Sequence, residues 1–188
     1  MELEYQVSIK TPSYVYLKYH DSGPCAEIMD PRPSIDTGPL GPSFPVGPDS
    51  NGNIVVTSSF GFRSDAPRGG SNPHTGTDFR NPKGGAVYST QNGVVSFAGA
   101  KDRGGNSIVI KNDDGSKSGY AHTGPDKDIK AGTQVENGQK IGVSDSSGTG
   151  SPHTHYTYTD PQGNRTDPMT TQFKDRSDSC KKGTQGCL

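Results

Sequence analysis

Four of the five histidines fall in three short contexts. His74 stands four residues before Asp78, His122 follows a Tyr-Ala pair, and a single residue separates His153 from His155. Residues i and i+2 of a strand project from the same face, so His153 and His155 are expected to point into one space. A single histidine is more often a surface or hydrogen-bonded core residue than a ligand, so a chemical role rests on the combination.

A carboxylate and two imidazoles are a donor set that suits catalytic zinc, which takes three protein ligands and keeps one position open for water. Asp78 and two of the four histidines would supply that set, and the other two would remain for proton transfer. Pro73 and Gly76 argue against a helix here, so we place His74 and Asp78 on a turn that leads into a strand. We expect His20, outside these contexts, to be structural or at the surface.

Short β-type runs separated by glycine turns must position these side chains. The runs cover residues 54–62, 86–89, 93–98, 107–111, 118–121, 139–143 and 153–159. The dipeptides Asn92-Gly93, Asp114-Gly115 and Asn137-Gly138 are typical of turns that close hairpins. No segment keeps a 3.6-residue period. The sequence therefore predicts a mainly β fold, a small antiparallel β-sheet domain with few or no long helices.

The ends of the chain differ from this middle region. Residues 3–19 alternate well enough for one or two strands, and the proline-rich stretch 22–48 indicates a linker or an extended strap. Cys25, Cys180 and Cys187 are odd in number. A disulfide between the last two and free thiols in the tail are both compatible with this spacing.

The charge balance limits the classes of partner. The chain has 19 basic and 20 acidic residues and a net charge of −1, which gives no reason to expect nucleic acid or a membrane surface as the main partner. No run approaches the roughly 18 apolar residues of a membrane span, and no signal peptide is visible at Met1. A serine or cysteine nucleophile is disfavoured, because residues 43–168 contain no cysteine and no nucleophile-elbow pattern.

The order of several motifs resembles that of the lysostaphin and LytM family of zinc peptidases. These motifs are Ser59-Phe60-Gly61-Phe62-Arg63, His74-x-x-x-Asp78, Tyr120-Ala121-His122 and His153-x-His155. Glycine-punctuated stretches at 85–95 and 132–142 agree as well. The resemblance covers about residues 43–168, and the first 42 and last 20 residues lie outside it.

The resemblance implies that His74, Asp78 and His155 bind Zn²⁺ and that His122 and His153 form an unligated catalytic pair. Which of the two acts as general base is left open. It further implies a metal-bearing groove and the hydrolysis of peptide cross-links in bacterial peptidoglycan by metal-activated water. Some family members have lost zinc ligands and regulate other wall hydrolases. A non-catalytic peptidoglycan-binding or regulatory module is therefore the alternative, and the complete ligand set favours an active enzyme.

Three positions depart from the family pattern. Thr123 and Thr154 stand where many members have leucine, and Thr157 replaces a frequent glutamate. These positions concern the lining of the groove and the surroundings of the ligands, so they bear on substrate preference more than on activity. A partner that orients the ligand histidines is also expected, but the sequence does not identify it.

The expected organisation has three parts: N-terminal strands and a strap in 1–42, a zinc metallopeptidase domain in 43–168, and a tail in 169–188. The strap either covers the groove and keeps the enzyme latent, or serves as a docking arm or linker. We expect a monomer that acts at the cell wall, with peptidoglycan as its partner. The sequence leaves open the bond cleaved, the host wall, and whether the protein is periplasmic, secreted, phage-borne or injected.

Overall fold

A computed structural model describes residues 42–64, 71–101 and 105–174, together with the backbone of two short N-terminal strands. The chain divides into two compact units, Met1–Thr37 and Gly38–Leu188. In the first, β1 (Ser8–Ile9) and β2 (Val15–Tyr16) pair antiparallel, within the region predicted to hold strands. The predictions for His20, the strap and the three cysteines lie outside the described residues, and the domain limits remain predictions.

The described part of the second unit is built from β-strands. They are β3 (Val56–Ser58), β4 (Thr77–Arg80), β5 (Ala86–Tyr88), β6 (Gly93–Lys101), β7 (Gly105–Asn112), β8 (Lys117–Ala121), β9 (Thr123–Pro125), β10 (Gln134–Val135), β11 (Lys140–Ser144), β12 (His153–Thr159) and β13 (Arg165–Thr166). No long helix occurs among the described residues. In that part of the chain, there is likewise no helix with the length and apolarity needed to cross a membrane.

These strands form two antiparallel sheets. The large sheet has the order β10-β6-β7-β8-β12-β4-β3, with β13 paired to β12, and the small sheet has the order β5-β11-β9. Every strand pairing in both sheets is antiparallel. The predicted mainly β, antiparallel domain is therefore confirmed.

One cluster of buried side chains joins the two sheets. The large sheet contributes Phe79, Ile108, Ile110, Tyr120 and Tyr156, and the small sheet contributes Val87 and Ile141. Phe173, near the end of the described chain, is fully buried, and its ring centroid lies 4.8 Å from that of Phe44 and 5.7 Å from that of Tyr156. The stretch 169–174 therefore contributes to the core.

Four buried hydroxyl groups form a polar cluster inside this core, the hydroxyl cluster of Thr90, Ser118, Tyr120 and Tyr156. Thr90 Oγ1 lies 3.0, 3.2 and 2.9 Å from the hydroxyl oxygens of the other three, in that order. Desolvation by burial raises the pKa of both tyrosines, so their hydroxyls keep their protons and can donate. Because each buried hydroxyl has a partner, the cluster holds the core faces of β8 and β12 together without leaving these groups unsatisfied.

Only one of the three predicted hairpin turns closes a hairpin. Asp114-Gly115 connects the paired strands β7 and β8, and Gly115 takes the positive φ of 85° that this turn requires. Asn92-Gly93 and Asn137-Gly138 instead lead from β5 to β6 and from β10 to β11, which do not pair with each other. The hairpin prediction is wrong at these two sites because the chain crosses there between the two sheets.

Candidate metal centre

Two adjacent strands and the turn before one of them bring the central residues together. In the pairing of β4 with β12, Asp78 lies directly opposite His155. His74 precedes β4 on a turn, as expected, and reciprocal backbone hydrogen bonds to Gly61, of 2.9 and 2.7 Å, hold it there. A Cβ on Gly76 would lie 2.3 Å from the carbonyl oxygen of Tyr156 and 2.8 Å from His155 Nε2. Only glycine therefore lets this turn approach β12.

The nearest donor atoms of three of these side chains form a small triangle. Asp78 Oδ1 lies 2.7 Å from His155 Nδ1 and 3.3 Å from His74 Nε2, and the two ring nitrogens are 3.1 Å apart. Tetrahedral zinc with bonds of about 2.0–2.2 Å has donor–donor distances of roughly 3.3–3.6 Å. The triangle is slightly smaller, and its donors are two imidazoles and one carboxylate. The residues therefore fit a divalent metal ion, and within the described chain they form a group able to hold one.

Backbone carbonyls fix the orientation of three of the four histidine rings. The Nδ1-to-oxygen pairs are His74 with Ser59 (2.8 Å), His122 with Ser147 (2.6 Å) and His153 with Ser151 (2.8 Å). A carbonyl oxygen can only accept, so Nδ1 donates in each pair and Nε2 of the neutral ring carries the lone pair. The expected partner that orients a ligand histidine is thus the Ser59 carbonyl for His74.

His122 and His153 lie beside the triangle. Their ring centroids are 4.7 Å apart, and His153 Nε2 lies 3.6 Å from Asp78 Oδ1. His122 directly follows β8 and has a φ of 56°, in the left-handed region that non-glycine residues seldom adopt. Such strained backbone persists only where the surroundings hold it, and functional sites are where it concentrates.

The residues around Ser147 supply that support. Asp145 Oδ1 accepts hydrogen bonds from the Ser147 amide (2.9 Å) and hydroxyl (2.6 Å), and the Asp145 amide donates to the His122 carbonyl (3.0 Å). The Asn106 side chain donates to Asp145 Oδ2 (2.6 Å), and the Asn106 backbone N–H donates to the Ser147 hydroxyl (2.6 Å). A Cβ on Gly105 would lie 2.2 Å from the Ser147 oxygen. We name residues 145–147 the Ser147 turn; it fixes the carbonyl that orients His122.

The ionisation states suit metal binding. Desolvation by burial lowers the pKa of both His74 and His122, which favours neutral rings. Desolvation would raise the pKa of Asp78, but the hydrogen bond from His155 and the electrostatic attraction to any neighbouring ring that becomes protonated outweigh it, so the net pKa is lowered. An ionised carboxylate beside neutral imidazoles is the protonation state in which these groups bind metals.

The centre opens to solvent on two sides. One hollow, of about 410 Å³, is lined by Asp78 and His153 together with Arg63 and Arg80. The other, of about 310 Å³, extends from His155 along β8 and β12. Asp78 lines one hollow and His155 the other, so the donor triangle borders both.

The structure brings together all five predicted site residues, His74, Asp78, His122, His153 and His155. Sequence reasoning did not find the carbonyls of Ser59, Ser147 and Ser151 or the role of Asp145. A backbone carbonyl belongs to every residue, so its type carries no signal. In the sequence Gly76 argues only against a helix, whereas in the structure glycine is required there by the close approach of β12.

The sequence profile of peptidase family M23 matches residues 72–168. Among curated proteins, the peptidoglycan DD-endopeptidase ShyB of Vibrio cholerae is 39% identical over 105 residues, which cover 54% of this chain and 24% of ShyB. The murein hydrolase activator NlpD of Escherichia coli is 39% identical over 82 residues, covering 43% of this chain and 21% of NlpD. The matched part thus spans about a quarter or less of the length of such relatives.

Two solved peptidase structures have folds similar to that of this chain. A zinc-containing peptidase from Vibrio cholerae superposes with a TM-score of 0.57 at 30% identity, over 69% of this chain and 39% of the other. The catalytic domain of lysostaphin from Staphylococcus simulans superposes with a TM-score of 0.55 at 28% identity, over 63% of this chain and 91% of the other. The profile match covers more than half of the sequence and contains all five site residues. The chain therefore belongs to peptidase family M23.

Proposed function

We propose that this chain is a zinc-dependent endopeptidase that hydrolyses peptide cross-links of bacterial peptidoglycan and acts at the cell wall. The observation that carries the proposal is the convergence of a complete donor triangle with two further imidazoles, beside two hollows that open to solvent. The similarity to ShyB, a peptidoglycan endopeptidase, supports the proposed substrate, and the similarity to the zinc-containing peptidase supports the proposed metal.

His74, Asp78 and His155 would hold the zinc ion. Bound there, zinc would supply a Lewis acid that polarises a carbonyl and acidifies a water molecule. The short contacts among the three side chains and the Ser59 carbonyl set their positions before the metal binds. Such a preorganised site needs little rearrangement during the reaction.

His122 and His153 would move the protons. Each has its Nδ1 proton engaged by a backbone carbonyl, so each presents an Nε2 lone pair that can accept a proton from water. The same nitrogen, once protonated, can donate to the oxyanion or to the leaving amine. The ring centroids are 4.7 Å apart, so both imidazoles can serve one scissile bond.

The alternative function is a non-catalytic regulator, because the chain is also similar to NlpD, a murein hydrolase activator. The complete donor triangle and the oriented pair of His122 and His153 favour catalysis over this alternative. The two functions separate in one assay with purified peptidoglycan. An endopeptidase releases fragments by itself and stops on chelation, whereas an activator releases fragments only when a second hydrolase is present.

Substitutions distinguish the two proposed sets of histidines. Alanine at His74, Asp78 or His155 should abolish zinc binding and hydrolysis together. Alanine at His122 or His153 should retain the zinc and lower turnover by about 10²–10⁴-fold, the usual contribution of acid–base catalysis. Zinc content by atomic absorption and fragments by mass spectrometry give the two readouts, and the new termini identify the bond. A His153→Ala protein without zinc would show that the division of roles is wrong.

A further inference from the structure

The second hollow extends from the metal centre along three neighbouring strands, β12, β8 and β7. The register places Ala121 beside His155, Gly119 beside Thr157, and Lys117 beside Thr159. These residues alternate along their strands with fully buried core residues, so their side chains lie on the face away from the core. We name the hollow along these residues the basic groove, for the charges at its far end.

The floor of the basic groove is made by small side chains. Ala121 and Gly119 occupy its middle strand, and a Cβ on Gly119 would lie 2.5 Å from Thr157 Oγ1. A larger residue at 119 would therefore displace Thr157 or fill the trough. With glycine and alanine there, the trough can receive an extended peptide backbone that continues from the metal centre.

The far end of the basic groove carries positive charge. Lys117 lies beside Thr159 on one side, and Arg165 of β13 lies opposite Thr159 on the other. Thr159 is four residues from His155, and a strand advances about 3.4 Å per residue, which places the two cations roughly 13 Å along the groove from the metal centre. Lys111 is paired with Lys117 in the register but does not line the groove.

No acidic side chain neutralises these cations within the described structure. The described lining of the groove contains no aspartate or glutamate. Lys117 and Arg165 make none of the ion pairs found among the described residues. Two acids at the neighbouring strand ends have other partners: Asp114 accepts from Ser116 and Gln91, and Asp160 accepts from Asn164. Asp113, in the same turn as Asp114, does not line the groove and forms no ion pair with Lys117 or Arg165 among the described residues. Unpaired cations in a concave surface attract anions.

We propose that Lys117 and Arg165 form a subsite that binds a free carboxylate of the substrate peptide, three to four residues from the bond that is cleaved. This inference rests on the proposed peptidase function. An extended peptide with its scissile carbonyl at the donor triangle reaches about 13 Å further after four residues, the distance to these cations. Arginine can hold a carboxylate through two parallel hydrogen bonds, and lysine adds a point charge.

A pair of matched substrates tests the subsite. The first is a cross-linked muropeptide dimer with free carboxylates, and the second is the same dimer with its carboxylates converted to primary amides. The zinc-loaded protein should cleave the first with a kcat/KM at least about tenfold higher, as expected from the loss of a charge-assisted hydrogen bond. The difference should lie in KM, because the subsite is remote from the reacting atoms.

Variants that lack one of the two positive charges show whether the preference for the carboxylate substrate depends on Lys117 and Arg165. In Lys117→Gln and Arg165→Gln, the ratio of kcat/KM between the two substrates should fall toward one, through a higher KM for the carboxylate form. Lys130→Gln is the matched control, since Lys130 is exposed in the segment between β9 and β10 and lines neither hollow. Zinc content and melting temperature, measured for each variant, separate this effect from misfolding.

The outcomes distinguish the subsite from the function on which it rests. Equal cleavage of both substrates by the wild-type protein overturns the subsite and leaves the peptidase function intact. A substrate ratio that persists in both glutamine variants, or falls equally in Lys130→Gln, also overturns it. Cleavage of neither substrate by the zinc-loaded protein contradicts the proposed peptidase function itself.

Discussion

At the scale of single residues, the metal centre depends on the direction of each imidazole. The carbonyls of Ser59, Ser147 and Ser151 accept the Nδ1 protons of three rings, which leaves Nε2 of each free to act. His155 is the exception, because its Nδ1 faces Asp78 and His74. The backbone therefore orients three of the four rings, whereas neighbouring side chains orient His155.

The burial of His122 predicts the acid limit of activity. Desolvation lowers its pKa below the ordinary 6.5, although the hydrogen bond to Ser147 opposes this. A ring with a lowered pKa stays neutral, and able to accept a proton, until the pH falls further. We therefore expect the acid limb of kcat/KM to have its midpoint below 6.5. A pH–rate profile with zinc content measured at each pH tests this, and a midpoint above 6.5 in fully loaded protein contradicts it.

At the scale of elements, the Ser147 turn positions the His122 ring without touching the donor triangle. Asp145 and Asn106 hold the Ser147 amide and hydroxyl, and the Ser147 carbonyl then orients His122. The His122 ring has no other hydrogen-bond partner among the described contacts, so its orientation depends on the Ser147 carbonyl. The left-handed backbone of His122 at the end of β8 also needs its surroundings to hold it in place.

Asp145→Ala should therefore lower kcat by about ten- to a hundredfold, the usual consequence of a misplaced catalytic group. KM and zinc content should stay near the wild-type values. Asp145→Asn keeps an oxygen that can accept from the Ser147 amide and should recover much of the rate. Asp126→Ala, which removes an exposed ion pair with Lys140, is the control. A raised KM with normal kcat in Asp145→Ala would refute the positioning role.

The sequence predicted the long elements better than the short ones. The alternation along β12 and β8 is clear because one face packs into the core and the other lies in the groove. Strands β9, β10 and β13 have two or three residues each, too few to show a period. The predicted run 54–62 shortens to β3 because its register shifts within Val56–Ser58 and Gly61 then pairs with His74.

Local sequence patterns also predicted only part of the site. The five side chains of the proposed chemistry were predicted, because they fall in three short contexts whose order resembles that of the lysostaphin and LytM family. The turns at Asn92 and Asn137 were predicted to close hairpins and do not, since a turn dipeptide does not specify which sheet the next strand joins. The support of Asp145 depends on contacts across 39 positions to Asn106, which no local pattern reveals.

At the scale of the whole molecule, the metal centre ties together segments far apart in the chain. His74 and His155 are separated by 81 positions, and β4 and β12 meet only in the folded sheet. The unfolded chain therefore lacks the assembled site. A ligand that binds the folded state alone stabilises it by mass action.

Metal removal should accordingly lower thermal stability. Zinc at a thousand times its dissociation constant contributes about 4 kcal/mol. At about 2–4 °C per kcal/mol for a chain of this size, chelation should lower the melting temperature by roughly 10 °C. Calorimetry with chelator and after addition of zinc measures this change. The His74→Ala protein should melt at the same temperature in both conditions, and an unchanged wild-type midpoint after complete loss of zinc would contradict the site.

The two faces of strand β12 differ: one packs into the core, and the other lines the donor triangle and the basic groove. Its core face carries Thr154, Tyr156 and Tyr158, with Tyr156 anchored in the hydroxyl cluster, and its outer face carries His153, His155 and the two threonines of the groove. During evolution, residues on the outer face of β12 can therefore change without disturbing the residues of its core face. On the proposed function, changes at Thr157 or Thr159 would alter which peptides the groove accepts while His153 and His155 keep their alignment. The range of substrates could then change without any rebuilding of the metal centre.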